Sequence, residues 1–326
     1  MSTIWQFSTI NESIKNALEF SLGPLLISDY IQSPIVILTH LFTFYLIIND
    51  TPAVMNVYKR YLLYTQFWLF TRDLMWSIFV RPVYIYPSNA NACMGLFSFM
   101  FQIDCHYQFS LINLFISMTI ASLTTLMIYR RNQLTPPGKY HFTPRTIIAF
   151  NVFGHFIELS NVILFSIAGL ESEKVDLSRF QYHDFTATAY TLNLPIVIWF
   201  MSIFVIAIWT CIFTALFVFS IFFQLAQAKE RMSPKTFELQ KYFSNTLLLQ
   251  LGAVFVFFLF PIAVIMLGIY FQIFNTWIIN SVIILPSYFS VIYSWILLLM
   301  TPVYLNAIKA KFGKKMDEGK VSETDH

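Results

Sequence analysis

Val254–Met266 reads VFVFFLFPIAVIM, a run with no polar side chain on any face of a helix. A helix that meets water on one side keeps a polar back, so apolar residues all round point to lipid or to a deeply buried position. The run lies inside a longer apolar stretch, about Phe243–Tyr270. Six more stretches of similar length occur: Ile27–Ile48, Leu62–Tyr84, Gly95–Ile128, Thr146–Ala168, Leu194–Phe223 and Trp277–Met300. At about 1.5 Å of rise per residue, roughly twenty apolar residues cross a ~30 Å hydrocarbon core. The sequence therefore predicts an all-α, seven-transmembrane helix bundle in a single domain, 1–326. An odd number of crossings places the termini on opposite sides of the bilayer.

Composition points the same way. Charged residues make up 11% of the chain and hydrophobic ones 57%, against about 25% charged in a soluble domain. The distribution of charge says more than its net value. Of 20 Lys and Arg residues, the first connection holds Lys59 and Arg60, the third Arg130, Arg131, Lys139 and Arg145, and the fifth Lys229, Arg231, Lys235 and Lys241. The tail adds Lys309, Lys311, Lys314, Lys315 and Lys320, whereas the opposite side has only Lys15, Arg81, Lys174 and Arg179. Basic residues stay on the cytoplasmic side, which puts the N-terminus outside and the C-terminus in the cytoplasm.

The first residues lack a basic segment, an apolar core and a small-residue cleavage site, so the first span is expected to act as its own signal anchor. Asn11-Glu12-Ser13 is a glycosylation sequon on the predicted outside. The cysteines are Cys93, Cys105 and Cys211. Cys93 stands at the outer mouth of the third span, but the second outer loop, about Leu170–Asn193, offers no cysteine to pair with it. Cys105 and Cys211 fall within spans and read as small packed residues, so no extracellular disulfide is expected.

Turn-forming sequences mark the span boundaries: Asn49-Asp50-Thr51-Pro52, Thr135-Pro136-Pro137-Gly138 and Ser233-Pro234. Pro261 and Pro286 each remove a backbone hydrogen bond from a span and kink it, as a hinge or as a static packing feature. The two halves of the chain are not copies of each other, which argues against a transporter built from repeats.

Ionisable groups at membrane depth are costly and mark places to look. Arg72-Asp73 lies near the middle of the second span. Neighbours on a helix point about 100° apart, so Asp73 is taken as the inward residue, a signalling hub, ion site or structural ion-pair partner. Arg72 is left to snorkel or to pair with another helix. In the outer part of the third span, Asp104, Tyr107, Gln108 and Leu111 share one face by their helical spacing. A carboxylate beside a phenol suits a polar or cationic ligand in an apolar cavity, and a polar cluster at headgroup level is the alternative. Trp199 and Asn280 stand at comparable outward depth and join the candidate ligand-binding set. His155 and Glu158 are expected to hydrogen-bond each other or a neighbouring helix. No catalytic or metal-binding motif appears, so no enzyme activity, cofactor, metal or nucleic-acid partner is expected.

Several segments together resemble the nematode serpentine chemoreceptors, class H and its neighbour class I, within the Str-type superfamily of seven-transmembrane G-protein-coupled receptors. The first runs from Thr51-Pro52-Ala53-Val54-Met55 through Lys59, Leu62-Leu63, Gln66-Phe67-Trp68, Asp73-Leu74, Ser77 and Pro82, similar to that family's TPxxM…K…LL…FW…D…S…P. Pro87, Ala90 and Gly95-Leu96 resemble its PxxAGYxxGLL, with Asn91-Ala92 in place of GY. Ser233-Pro234-Lys235-Thr236, Leu239-Gln240-Lys241, Phe243, Leu247, Gln250 and Pro261 resemble the entry to its sixth span. Pro286-Ser287 and Thr301-Pro302-Val303-Tyr304 are similar to its close. The departures are at the cytoplasmic end. The family often has a FENR-like sequence there, whereas this chain has Leu126-Met127-Ile128-Tyr129-Arg130-Arg131-Asn132, and Leu305 replaces the closing arginine. Arg130 or Arg131 stands in for the basic residue and its acidic partner is missing.

The resemblance implies a multi-pass plasma-membrane receptor of chemosensory cells, in their sensory cilia. Its partners would be a small odorant or pheromone-like molecule, a heterotrimeric G protein and the lipid bilayer. Two rivals remain at this point. An odorant-gated cation channel subunit would need the inverse topology, and a small-solute transporter would need repeated halves or broken helices in matching positions.

Overall fold

The computed structural model describes residues 31–85, 90–135, 141–168, 173–175, 186–189, 194–271 and 276–322. Helix α1 (Ile31–Asp50) displays the principle of the whole molecule. Ile31, Ile35, Leu38, Leu41, Tyr45 and Ile48 are exposed, while Gln32, Ser33, Thr39, His40 and Thr43 are buried. Both series follow helical spacing, but the polarity is reversed from that of a water-soluble helix, as expected where the surroundings are lipid.

Helix α2 (Asn56–Leu74) runs on through a wide turn, Met75–Val80, and stops at Arg81, whose φ of 47° is left-handed. Strands β1 (Pro82–Ile85) and β2 (Ala90–Cys93) follow, then the short α3 (Leu96–Phe101) and the long α4 (Cys105–Leu134). Next come α5 (Pro144–Ala168), β3 (Glu173–Val175), β4 (Thr186–Ala189) and α6 (Leu194–Ala228). Helix α7 (Pro234–Val254) passes through a second wide turn, Phe255–Leu259, into α8 (Phe260–Phe271). Helices α9 (Thr276–Met300) and α10 (Pro302–Ser322) complete the chain. Seven long segments thus make the bundle: α1, α2, α4, α5, α6, α7–α8 and α9. Helix α4 packs on α2, α5 and α6, and α9 packs on α2 and α7.

The strands form one antiparallel sheet, ordered β1-β2-β4-β3, with Pro82 opposite Cys93 and Cys93 opposite Thr186. It joins the first and second outer connections and touches α4 and α9. Gly95 lets the chain turn in beneath it. A Cβ there would stand 2.3 Å from the backbone carbonyl of Phe79, so no other residue fits without displacement. At the opposite, basic end, α10 leaves α9 at 86°, where Pro302 withholds the N–H that would continue the helix. Lys311 on α10 pairs with Asp50 at the end of α1, and Tyr304 shares a 2.9 Å hydrogen bond with Thr51.

Two expectations are corrected. The stretch Gly95–Ile128 is not one helix: Gln102 takes a left-handed φ of 50°, α3 ends, and α4 starts afresh at Cys105. Cys105 is therefore at a helix start rather than inside a span, and it forms a disulfide with Cys93, 5.4 Å away between Cα atoms. The expected absence of an outer disulfide does not hold, because the partner lies twelve residues downstream and not in the second outer loop. The side chain of Cys211 is outside those described.

Candidate functional site

Buried polar groups gather at three depths of the bundle. At the outer end, Asp104 stops the break before α4. Its carboxylate accepts from the His106 N–H at 3.0 Å and from the Thr188 hydroxyl at 2.8 Å. Gln108, one turn further, is buried and donates from Nε2 to the Ile103 carbonyl at 2.6 Å, Ser98 Oγ at 2.8 Å and Thr186 Oγ1 at 3.1 Å. Asp104 and Gln108 thus anchor β4 to the top of α4. Tyr107 does not join them. Its side chain is 56% exposed on the outside of the bundle, because it lies about 100° round the helix from Gln108 and Asp104 precedes the first helical turn. The single face read from the spacing is therefore split.

In the middle, Arg72 and Asp73 are both buried: Asp73 faces inward as expected, and Arg72 pairs with α9 rather than snorkelling. The guanidinium folds back to its own neighbour, so Arg72 Nη2 bonds Asp73, while Nη1 donates to the Pro286 carbonyl at 2.8 Å. Ser290 donates to the same carboxylate, and His40 Nε2 lies 3.0 Å from it. Gln66 donates to His40 Nδ1 at 2.6 Å and to Ser294 at 2.9 Å. With Nδ1 accepting, the imidazole proton sits on Nε2 and points at Asp73. Nearer the outside, Gln32 and Ser287 exchange hydrogen bonds of 2.7 and 3.1 Å. This hub fastens α1, α2 and α9 together. Breaking a buried ion pair by removing one partner costs about 3–5 kcal/mol, so the hub carries structural weight whatever else it does. His155 and Glu158 each turn to a neighbouring helix: His155 Nε2 meets the Tyr64 hydroxyl on α2 at 2.6 Å, and Glu158 is buried beside Ser117 of α4.

At the basic end, Arg130 is buried and its guanidinium stacks on two rings, 3.7 Å from the centroid of Tyr58 on α2 and 4.2 Å from that of Phe243 on α7. Tyr129 stacks on Tyr61 at 4.4 Å and on Tyr58 at 6.1 Å. Arg131 points elsewhere, to Ser220 on α6 at 3.4 Å and over the Phe142 ring at 4.6 Å. Asn132 closes the second inner connection by exchanging two hydrogen bonds with the Phe142 backbone, at 2.8 and 2.7 Å.

Asn11 lies outside the described residues, and the side chains of Trp199 and Asn280 are outside those described. Sequence reasoning passed over His40 and Tyr58, and named Gln66 and Phe243 only as part of the family resemblance, with no role in a site. For the first of these a signal was available: Gln32, Ser33, Thr39, His40 and Thr43 recur at helical spacing within an apolar run, which marks an inward face in a membrane span. Nothing in the sequence pairs Tyr58 with Phe243.

A family model described as serpentine type 7TM GPCR chemoreceptor Srh matches residues 25–314. The chain belongs to the Srh chemoreceptor family. Among solved structures, this Srh chain is similar to the crystal structure of squid rhodopsin, with a TM-score of 0.62 at 12% identity over 92% of this chain and 87% of that one. At such identity the likeness concerns the fold, a seven-transmembrane receptor bundle. No curated protein matches the Srh chain.

Proposed function

We propose that this Srh receptor is a chemosensory one: it binds a small odorant or pheromone-like molecule from the outer side and signals through a heterotrimeric G protein at its basic end. One observation carries the reading. Buried polar groups run from the outer sheet through the Arg72–Asp73 hub to Arg130, inside helices whose apolar faces point outward. That layout suits a molecule that senses at one end and reports at the other. The ligand enters the outer half of the bundle beneath the sheet. There Asp104 and Gln108 hold the roof, and Trp199 and Asn280 are the proposed wall. Tyr107 drops out of the wall, since it faces away.

A bound molecule shifts the receptor only by its difference in affinity for two bundle arrangements. Asp73 is the hub through which α1, α2 and α9 would rearrange together. Arg131 belongs to the surface met by the G protein, and Arg130 lies buried just behind it. The setting is the plasma membrane of chemosensory cells, in their cilia.

The test is a calcium-reporter screen of cells expressing the receptor against volatile and polar compounds, with surface display verified by an N-terminal tag. The expected result is a saturable response to at least one compound that disappears when G-protein coupling is blocked. A response that survives the block would replace this reading with that of a ligand-gated channel. Labelling of a C-terminal tag on intact cells would overturn the assumed sidedness and the reading with it.

A further inference from the structure

Arg130 is a buried cation without an acid. Among the described residues no carboxylate reaches it, and its Nη2 is buried with no hydrogen-bond partner. The acidic residue of α7, Glu238, is exposed and faces Lys241 one turn on. What Arg130 has instead is two aromatic faces from two other helices, Tyr58 of α2 and Phe243 of α7. A desolvated cation over an aromatic face is held electrostatically. An unpaired buried donor opposes burial by a comparable amount. The stack therefore keeps the helices together while leaving the Nη2 group with a reason to depart.

The three helices are not equally able to move. Helix α4 runs unbroken from Cys105 to Leu134, α2 meets the wide turn Met75–Val80 with no proline inside it, and α7 meets both the wide turn Phe255–Leu259 and Pro261. Wide turns and prolines are where helices bend, so the basic half of α7, with Phe243, is the element of the three best able to swing.

We propose that the Tyr58–Arg130–Phe243 stack is the latch of the resting receptor, holding the basic half of α7 against α4 and α2 through aromatic faces in place of an acid–arginine pair. The proposal rests on the reading above that the basic end is where a G protein engages. Opening the latch removes Phe243 from one face of the guanidinium and frees Nη2 for an acceptor on the arriving partner.

The test uses the full chain in lipid nanodiscs, with Cys211→Ser and spin labels at Gln133→Cys on α4 and Glu238→Cys on α7, both exposed positions. Distances between labels are measured without ligand, and nucleotide exchange on added G protein is followed in parallel. Phe243→Leu keeps apolar bulk but removes the ring, while Phe243→Trp keeps a ring. Loss of one desolvated cation–π contact is expected to raise the longer-distance population about ten-fold or more, and basal exchange with it. The Trp variant should match the parent. Tyr58→Leu against Tyr58→Phe repeats the contrast on the other ring, should Phe243→Leu fail to fold. Distances in both leucine variants that superimpose on the parent, or leucine and aromatic variants that widen alike, overturn the latch. Widened distances without exchange on any G protein uphold the latch and overturn the proposed signalling partner.

Discussion

Two arginines are buried in this bundle on neighbouring helices, and they are treated in opposite ways. Arg72 lies over the Phe289 ring at 5.6 Å but is fixed by a carboxylate, a hydroxyl and a backbone carbonyl. Arg130 lies between two closer rings, with its Nη2 group buried and unpaired. Charge-assisted hydrogen bonds are directional and fix a geometry, whereas a cation over a ring tolerates sliding and tilting. The middle of the bundle thus holds α1, α2 and α9 as one unit, while the contact at its basic end tolerates more movement.

That contrast is broken most directly by Arg72→Leu, which leaves Asp73 buried without its cation. A loss of about 3–5 kcal/mol is expected, seen as a fall in unfolding temperature of purified receptor and in surface display. Arg72→Leu with Asp73→Leu should recover much of it. If the double variant is no better than the single, the pair is not the unit of stability. Next in size is the outer staple. Removing the Cys93–Cys105 bond is expected to cost about 3 kcal/mol for a loop of this order. Cys93→Ser, Cys105→Ser and the double variant should then unfold at one common temperature, and separate values would mean the thiols act by packing instead.

Smaller still is the split face of α4. Gln108→Ala removes the shared donor to Ser98, Thr186 and Ile103, and about 1–3 kcal/mol should follow. Tyr107→Ala, on an exposed side chain, should leave thermal stability and ligand response unchanged. A rightward shift in dose–response from Tyr107→Ala would return it to the ligand site. The smallest effect belongs to Lys311 and Asp50, a partly exposed pair worth roughly 0.2–1 kcal/mol. Asp50 accepts the Lys311 hydrogen bond and so raises the pKa of the amine above its usual value. The contribution is therefore complete at neutral pH and fades only as pH climbs through that raised value, so Lys311→Ala should match the parent at strongly alkaline pH and differ slightly below it.

The bundle was legible because twenty apolar residues in a row admit few alternatives, and the burial of Asp73 followed from its depth. Of the two readings left for Arg72, pairing with another helix is the one that holds, through Pro286 and Ser290 of α9, while its bond to Asp73 was out of reach because the backbone angle between neighbours says nothing of a side chain long enough to fold back. The disulfide was missed for a different reason. Leu96–Phe101 is apolar and so is α4 from Leu111 onward, and hydropathy averaged over that length cannot see the left-handed turn at Gln102 that separates two helices. Once that turn is known, Cys93 and Cys105 face each other. The aromatic stack around Arg130 needs three helices at once. Its only trace in the sequence was a negative one, the acid missing beside the arginine.

Both cysteines of the staple lie on one side of the seam between β2 and β4, so only the β1–β2 half of the outer sheet is tied covalently to the head of α4. Strand β4 is held by its ladder to β2, by Gln108 on Thr186 and by Asp104 on Thr188, and β3 by its ladder to β4. The ladder between β2 and β4 can therefore part like a zip, one hydrogen bond at a time, with no covalent bond to break.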